Sequence, residues 1–151
     1  MEIQMESISI AHLLERDGAI AVTVSGYSMY PMLKDRRDCV VCRKYTGNVK
    51  KYDVLLYKSG KKLVLHRVIS NNKKDGRLII RGDNCVNKEY VPEENVLGIL
   101  TEFTRKNKDF TVNDPSYRLY SSLIVALHPF VSLKIKTVAL LSRLKRSILG
   151  N

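Results

Sequence analysis

The stretch "KLVLHRVIS", Lys62 to Ser70, is an apolar run with alternating faces and reads as a strong β-strand. Working outward, "DVLLYKS" (Asp53 to Ser59) and "DCVVCRK" (Asp38 to Lys44) are two more strands, each opened by an aspartate. The turn-like "YTGNVKK" separates them. Downstream, the polar "NNKKDG" makes a hairpin loop to "RLIIRGDN", and "NVLGILTEFTR" closes the β region. Upstream, "ESISIAHLLERDG" places Ile8, Ile10, Ala11, Leu13 and Leu14 at helical spacing and stops at Gly18. "AIAVTVSG" then forms a strand that ends at Gly26. Strands spaced roughly ten residues apart predict a mainly β protein, a strongly curved antiparallel sheet or barrel-like body. A short N-terminal helix (1–19) precedes this body (20–112), and a C-terminal amphipathic helical segment (113–151) follows it.

Composition narrows the class. Hydrophobic residues make up 44% of the 151, enough for a core, but only 7% are aromatic and none is Trp, so the core is aliphatic. The formal charge of +11 calls for an anionic neighbour. From Pro115 onward there are six cations (Arg118, Lys134, Lys136, Arg143, Lys145, Arg146) and no acidic residue. The three cysteines, Cys39, Cys42 and Cys85, are too few and odd in number for a secreted disulfide scaffold. Cys39 and Cys42 form a C-x-x-C, yet on a strand they face opposite sides, so buried thiols are expected rather than metal ligands. No secretory signal opens the sequence, and no run approaches the roughly 18 apolar residues of a membrane span. The expected location is cytoplasmic, with the tail able to hold the protein peripherally on the inner membrane face.

Within this frame "VSGYSMYPML", Val24 to Leu33, sets a serine between a glycine turn and a methionine. A serine hydroxyl becomes a useful nucleophile only beside a base and with donors aimed at the developing oxyanion. Of the three histidines, His12 lies beside the apolar face of the first helix and His128 precedes a proline in the tail. His66 is embedded in the apolar strand and is followed by Arg67. A lone strand histidine is by itself more often a hydrogen-bonded structural residue than a base.

The joint pattern is more specific. "SGYSMYP", "DCVVCRK", "YDVLLYK", "LVLHRVI" and "RGDN" resemble, in order and spacing, the catalytic domain of type I signal peptidases and LexA-like self-cleaving proteins, from about Val22 to Leu100. The resemblance implies that Ser28 is the nucleophile and that His66 is the general base, as in the endoplasmic-reticulum and archaeal type rather than the lysine type. It also implies that Asp83 of "RGDN" assists the site, the alternative being a turn residue that shapes this segment. An imidazole can accept the serine proton at neutral pH, and a carboxylate beside it would orient the ring. Many signal peptidases carry a hydroxyl residue two positions before the nucleophile. Here that place is Gly26, so backbone N–H groups around Ser28 and Met29 must carry more of the oxyanion, with Ser25 contributing where the turn brings it round and Arg67 in support.

The resulting expectation is a serine endopeptidase that needs no cofactor or metal and cleaves a leader, signal or propeptide from a protein precursor. The competing expectation is a non-enzymatic or self-cleaving LexA-like regulatory module. Only about twenty residues precede the first strand, too few for a helix-turn-helix unit, and no Ala-Gly or Cys-Gly pair precedes Ser28. Nothing suggests a specific nucleic-acid partner. In the tail, Val131, Ile135, Val138, Leu141, Leu144 and Ile148 share a wide helical face opposite Lys136, Arg143, Arg146 and Ser147, with Lys134 and Lys145 intruding. Such a helix packs on its own domain or a second subunit, or lies in an anionic membrane interface.

Overall fold

The computed structural model describes residues 1, 7–74 and 76–149. Glu6, where the sequence opens the first helix, Asp75 of the hairpin loop, and Gly150 and Asn151 lie outside the described residues, as do the side chains of Ile8 and Ile148. Helix α1 (Ser7–Asp17) leads into β1 (Ala19–Thr23), β2 (Cys39–Lys44), β3 (Val54–Ser59), β4 (Lys62–Lys74), β5 (Arg77–Arg81), β6 (Glu89–Pro92), β7 (Val96–Arg105) and β8 (Lys108–Thr111). Helices α2 (Pro115–Ala126) and α3 (His128–Leu149) complete the described chain.

All eight strands form one antiparallel sheet in the order β1-β2-β7-β3-β4-β5-β6, with β8 paired to the end of β7. The sheet is open, with β1 and β6 at its ends, which corrects the barrel-like alternative. Closure would require β1 and β6 to pair. Instead, register shifts at Val41/Cys42, Leu56/Tyr57 and Val68/Ser70 bend individual strands without joining the edges. Two strands escaped the sequence reading. β6 is four residues ending in a proline, and β8 is four residues beside the turn at Lys106 and Asn107, both of which have positive φ. The expected loop "NNKKDG" is mostly strand: β4 runs to Lys74, which pairs with Arg77.

The alternation of β3 and β4 builds a core on each face of the sheet. Val54, Leu56, Leu63 and Leu65 join Val40, Cys42 and Leu100 beneath Ile10 and Leu14 of α1. Leu55, Tyr57 and Val68 turn the other way and pack with Leu78, Ile80, Val91 and Val96. Each fully buried aliphatic side chain contributes about 1.5–3 kcal/mol relative to exposure. Helix α1 ends where Gly18 takes φ 72° and its N–H reaches the Leu14 carbonyl, a left-handed stop that a side chain would strain. The C-x-x-C residues face apart, but only one is the buried thiol expected: Cys42 is buried, which pushes its thiol up to about 12, whereas Cys39 on the other face is exposed.

A buried ion pair ties α2 to this body. Arg67 is fully buried and forms a two-pronged pair with Asp83, at 2.8 Å from Nε and 2.9 Å from Nη2. Its Nη1 donates to the Tyr52 carbonyl and to the hydroxyls of Tyr117 and Ser121, and the Tyr120 hydroxyl donates to Asp83. Burial by itself would lower the Arg67 pKa; the facing carboxylate reverses that and the net shift is upward. Three residues of α2 are thus bonded into the pair, so this helix belongs to the body rather than to a separate tail. Breaking such a pair from one side leaves an uncompensated buried charge. Arg67→Met is expected to cost about 3–5 kcal/mol in urea unfolding, and a loss under about 1 kcal/mol would show that the pair is not the clamp described.

Candidate active site

Ser28 sits in a turn that its neighbours hold from both sides. Gly26 takes φ 97°, and its N–H donates to Asp35 Oδ1 at 2.7 Å. The Val24 N–H reaches the Asp38 carbonyl, and the Arg36 N–H reaches the Val24 carbonyl. Met29, Met32 and Leu33 are buried while Tyr27 and Tyr30 are exposed, so the chain is anchored on one side of the serine and open on the other. The Asn84 N–H donates to the Ser28 carbonyl at 2.8 Å, and the Asn84 side chain donates to the Tyr27 carbonyl. The loop therefore does hold up a hydroxyl rather than merely containing one.

His66 lies opposite. Its Nε2 is 2.9 Å from Ser28 Oγ, although the two residues are 38 positions apart. Strand alternation splits the His66–Arg67 dipeptide: Arg67 enters the ion pair on one face and His66 turns to the other, diagonal to Tyr57 across the β3–β4 ladder. The imidazole is nearly buried, and its Nδ1 is 2.7 Å from Glu89 Oε1. The Tyr57 hydroxyl, 3.1 Å from Nδ1, donates to Glu89 Oε2 at 2.7 Å. The hydrogen bond from His66 holds the Glu89 carboxyl below its usual range against partial burial, with Tyr57 adding to the effect. Glu89 therefore stays charged into mildly acidic solution. With Nδ1–H committed to that carboxylate, the unprotonated Nε2 is the atom facing Ser28. This is the arrangement of hydroxyl, imidazole and carboxylate that lets a serine lose its proton as it attacks.

The carboxylate is not the expected one. Asp83 is bonded to Arg67 and Tyr120 on the other side of β4, so its place is structural and the role of orienting the imidazole falls to Glu89. Asp83 still acts on the site through the chain, since the next residue, Asn84, holds the Ser28 carbonyl. Of the expected supporting residues, Arg67 serves the ion pair and Gly26 gives its N–H to Asp35. Neither donates to the hydroxyl. Met29 contributes a buried side chain next to the nucleophile, and Ser25 is half-buried in an isolated bridge just before the turn. The aspartates that open the strands are turn acceptors. Asp38 takes the Lys34 N–H and the Arg37 guanidinium, and Asp53 takes the Lys50 N–H.

Two residues the sequence reading missed complete the site. Glu89 escaped because β6 did; once "EYVP" is a strand, alternation puts Glu89 on the same face as the core residue Val91. Gly82 escaped because its reason is distance. A Cβ there would lie 2.6 Å from the Ser28 carbonyl oxygen, 2.7 Å from Cys85 Sγ and 3.0 Å from His66 Nε2. The chain itself also enters the site. The Met1 carbonyl accepts the Leu65 N–H at 3.0 Å, its α-amino group donates to Ser28 Oγ, and its side chain is buried in the core.

Comparison with protein-family models, with curated proteins and with solved structures gave no match. The site is therefore read from its own geometry. Glu89→Gln keeps the shape and removes the charge, and should slow labelling of Ser28 by a fluorophosphonate by about 10²- to 10⁴-fold. An Asp83→Asn protein corrected for any unfolded fraction should label far faster than the Glu89 variant; the reverse order would return the orienting role to Asp83. Gly82→Ala should abolish labelling, because backbone at Ser28 must move to admit the methyl group. Normal labelling of that variant would show that Gly82 does not hold the two groups together.

Proposed function

We propose that the protein is a serine endopeptidase of the signal-peptidase and LexA-like kind, cutting a leader, signal or propeptide from a precursor. The observation that carries this reading is the 2.9 Å approach of His66 Nε2 to Ser28 Oγ, with Glu89 on the far ring nitrogen. In the proposed reaction Ser28 Oγ attacks the scissile carbonyl carbon and its proton passes to His66 Nε2. The resulting imidazolium is stabilised by Glu89. The C–N bond then breaks as Nε2 returns the proton to the departing amine, leaving an acyl-serine. Water, deprotonated by the same nitrogen, attacks the ester carbon; the C–Oγ bond breaks as Nε2 returns that proton to Ser28 Oγ, and the acid product leaves. Backbone N–H groups at the Ser28 turn are assigned to the oxyanion, as Gly26 N–H is engaged by Asp35.

A peptide substrate is favoured over a small ester by what lies in the cleft. The Leu65 N–H of β4 donates to a main-chain carbonyl there, that of Met1. A strand adjoining the nucleophile, with backbone donors available, recognises main chain irrespective of side-chain sequence. Capture of an extended precursor along β4 follows from the same geometry. The regulatory-module alternative has no such observation behind it.

Incubation of the protein with a mixed peptide library, read by mass spectrometry, tests the proposal. Defined cleavage products are expected from the wild type, and none from Ser28→Ala, whose thermal stability should stay close to that of the parent. Cleavage that survives Ser28→Ala would overturn it. An unchanged library, together with a chain that shortens itself, would favour self-cleavage instead. Activity should fall as pH drops, because a protonated imidazole cannot accept the serine proton.

A further inference from the structure

The helix α3 leaves the body behind. Every residue from Lys136 to Ser147 is exposed, so most of this helix does not pack on its own domain, one of the arrangements the sequence allowed. Phe130 is 71% exposed, Leu133 64% and Leu141 59%, with Leu140 and Leu144 close behind. At 3.6 residues per turn, Leu140, Leu133, Leu144, Phe130 and Leu141 fall within an arc of roughly 100°, broken only by Thr137. Lys134 and Lys145 border one side of this arc and Lys136 the other. Leu119 and Leu123 on α2 and Leu127 at its C-terminal cap are exposed, recur every four residues and lead directly into Phe130. The two helices meet at a bend of 62°.

We infer that this apolar stripe, with its lysine borders, is a docking surface for an anionic lipid bilayer, and that α3 lies in the plane of the headgroups. Charge chooses this occupant over the others. Between Pro115 and Ser147 there are six cations and no acidic residue, so a second copy laid on the same face would bring like charges together. A nucleic acid would satisfy the cations but leave the leucines and Phe130 in water. A bilayer meets both: acyl chains take the stripe, and lysine stems run along it while their ammonium groups reach lipid phosphates. Crossing the bilayer is a different matter. Among the described residues no single helix is long and apolar enough for it; the bent α2–α3 pair is, by length and composition, but Tyr117, Tyr120 and Ser121 tie α2 to the buried ion pair and Lys134 and Lys136 stand on α3.

The surface is tied to the site. His128, the first residue of α3, has Nε2 2.8 Å from the Cys85 carbonyl, and Cys85 follows Asn84, which holds the Ser28 carbonyl. A membrane-bound α3 therefore begins one loop away from the nucleophile.

Vesicle sedimentation with the full chain tests the docking surface without reference to catalysis. Vesicles of phosphatidylcholine with about one quarter phosphatidylglycerol should bind the wild type at least about tenfold more tightly than pure phosphatidylcholine, less so as salt rises. Leu133→Asp with Leu141→Asp should lower binding by at least about tenfold, as should Lys134→Gln with Lys136→Gln. These positions are exposed, so both variants should fold and label at Ser28 with fluorophosphonate at the wild-type rate. Failure of the wild type to bind anionic vesicles, or equal binding by the Leu133→Asp, Leu141→Asp protein, would overturn the inference. Light scattering that shows a wild-type dimer and a monomeric aspartate variant would also overturn it, assigning the face to self-association. Vesicle binding with no Ser28 labelling would leave the surface standing and remove the peptidase instead.

Discussion

The arrangement depends on the buried pair between Arg67 and Asp83. A guanidinium with no exposed surface is tolerable only when its donors are filled, and here a carboxylate, a carbonyl and two hydroxyls fill them. Arg67 stands on β4, and these partners come from three other places in the chain: the segment after β5, the turn before β3, and α2. Satisfying one side chain therefore fixes how these four pieces sit. Asp83 is held rigidly by this pair, which delivers Asn84 to the Ser28 carbonyl and Gly82 to the space beneath His66.

The candidate site occupies the opposite face of the same strand. Because consecutive residues of β4 point to opposite sides, His66 and Arg67 are neighbours in sequence and separated by the sheet. One turns to Ser28, Tyr57 and Glu89, the other to Asp83 and α2. This division keeps the two carboxylates from competing for the imidazole. Asp83 is neutralised by a permanent cation, whereas Glu89, partly exposed at the sheet edge, is left to the ring nitrogen and the Tyr57 hydroxyl.

The same clamp gives the C-terminal helices their setting. Tyr117, Tyr120 and Ser121 bind α2 to the ion pair, and α3 then departs with its leucines uncovered. A helix that owed its place to packing would bury such residues. This one is held at its root, where His128 meets the Cys85 carbonyl, and offers the remainder of its length to whatever lies outside.

How much of this could be read from the sequence follows from the range of each interaction. The strands "LVLHRVI", "DVLLYKS" and "DCVVCRK" are marked by local alternation and β-branching, and the serine turn by its glycine and the methionine that follows the serine. Ser28 and His66 could be named only together, because the order and spacing of their motifs resemble a known family while neither local setting is decisive by itself. Alternation by itself also separated Cys39 from Cys42. The partner carboxylate was a different kind of question. Asp83 and Glu89 are both acidic residues shortly after β5, and what distinguishes them is that the first meets a buried arginine and the second meets an imidazole. That difference arises only when β6 pairs with β5 and brings Glu89 beside Tyr57. The open edge of the sheet, the need for glycine at position 82 and the bareness of α3 are likewise properties of what lies nearby in space. One-dimensional periodicity determines which way a side chain points; the tertiary structure alone decides what it finds there, because its partner arrives from a distant part of the chain.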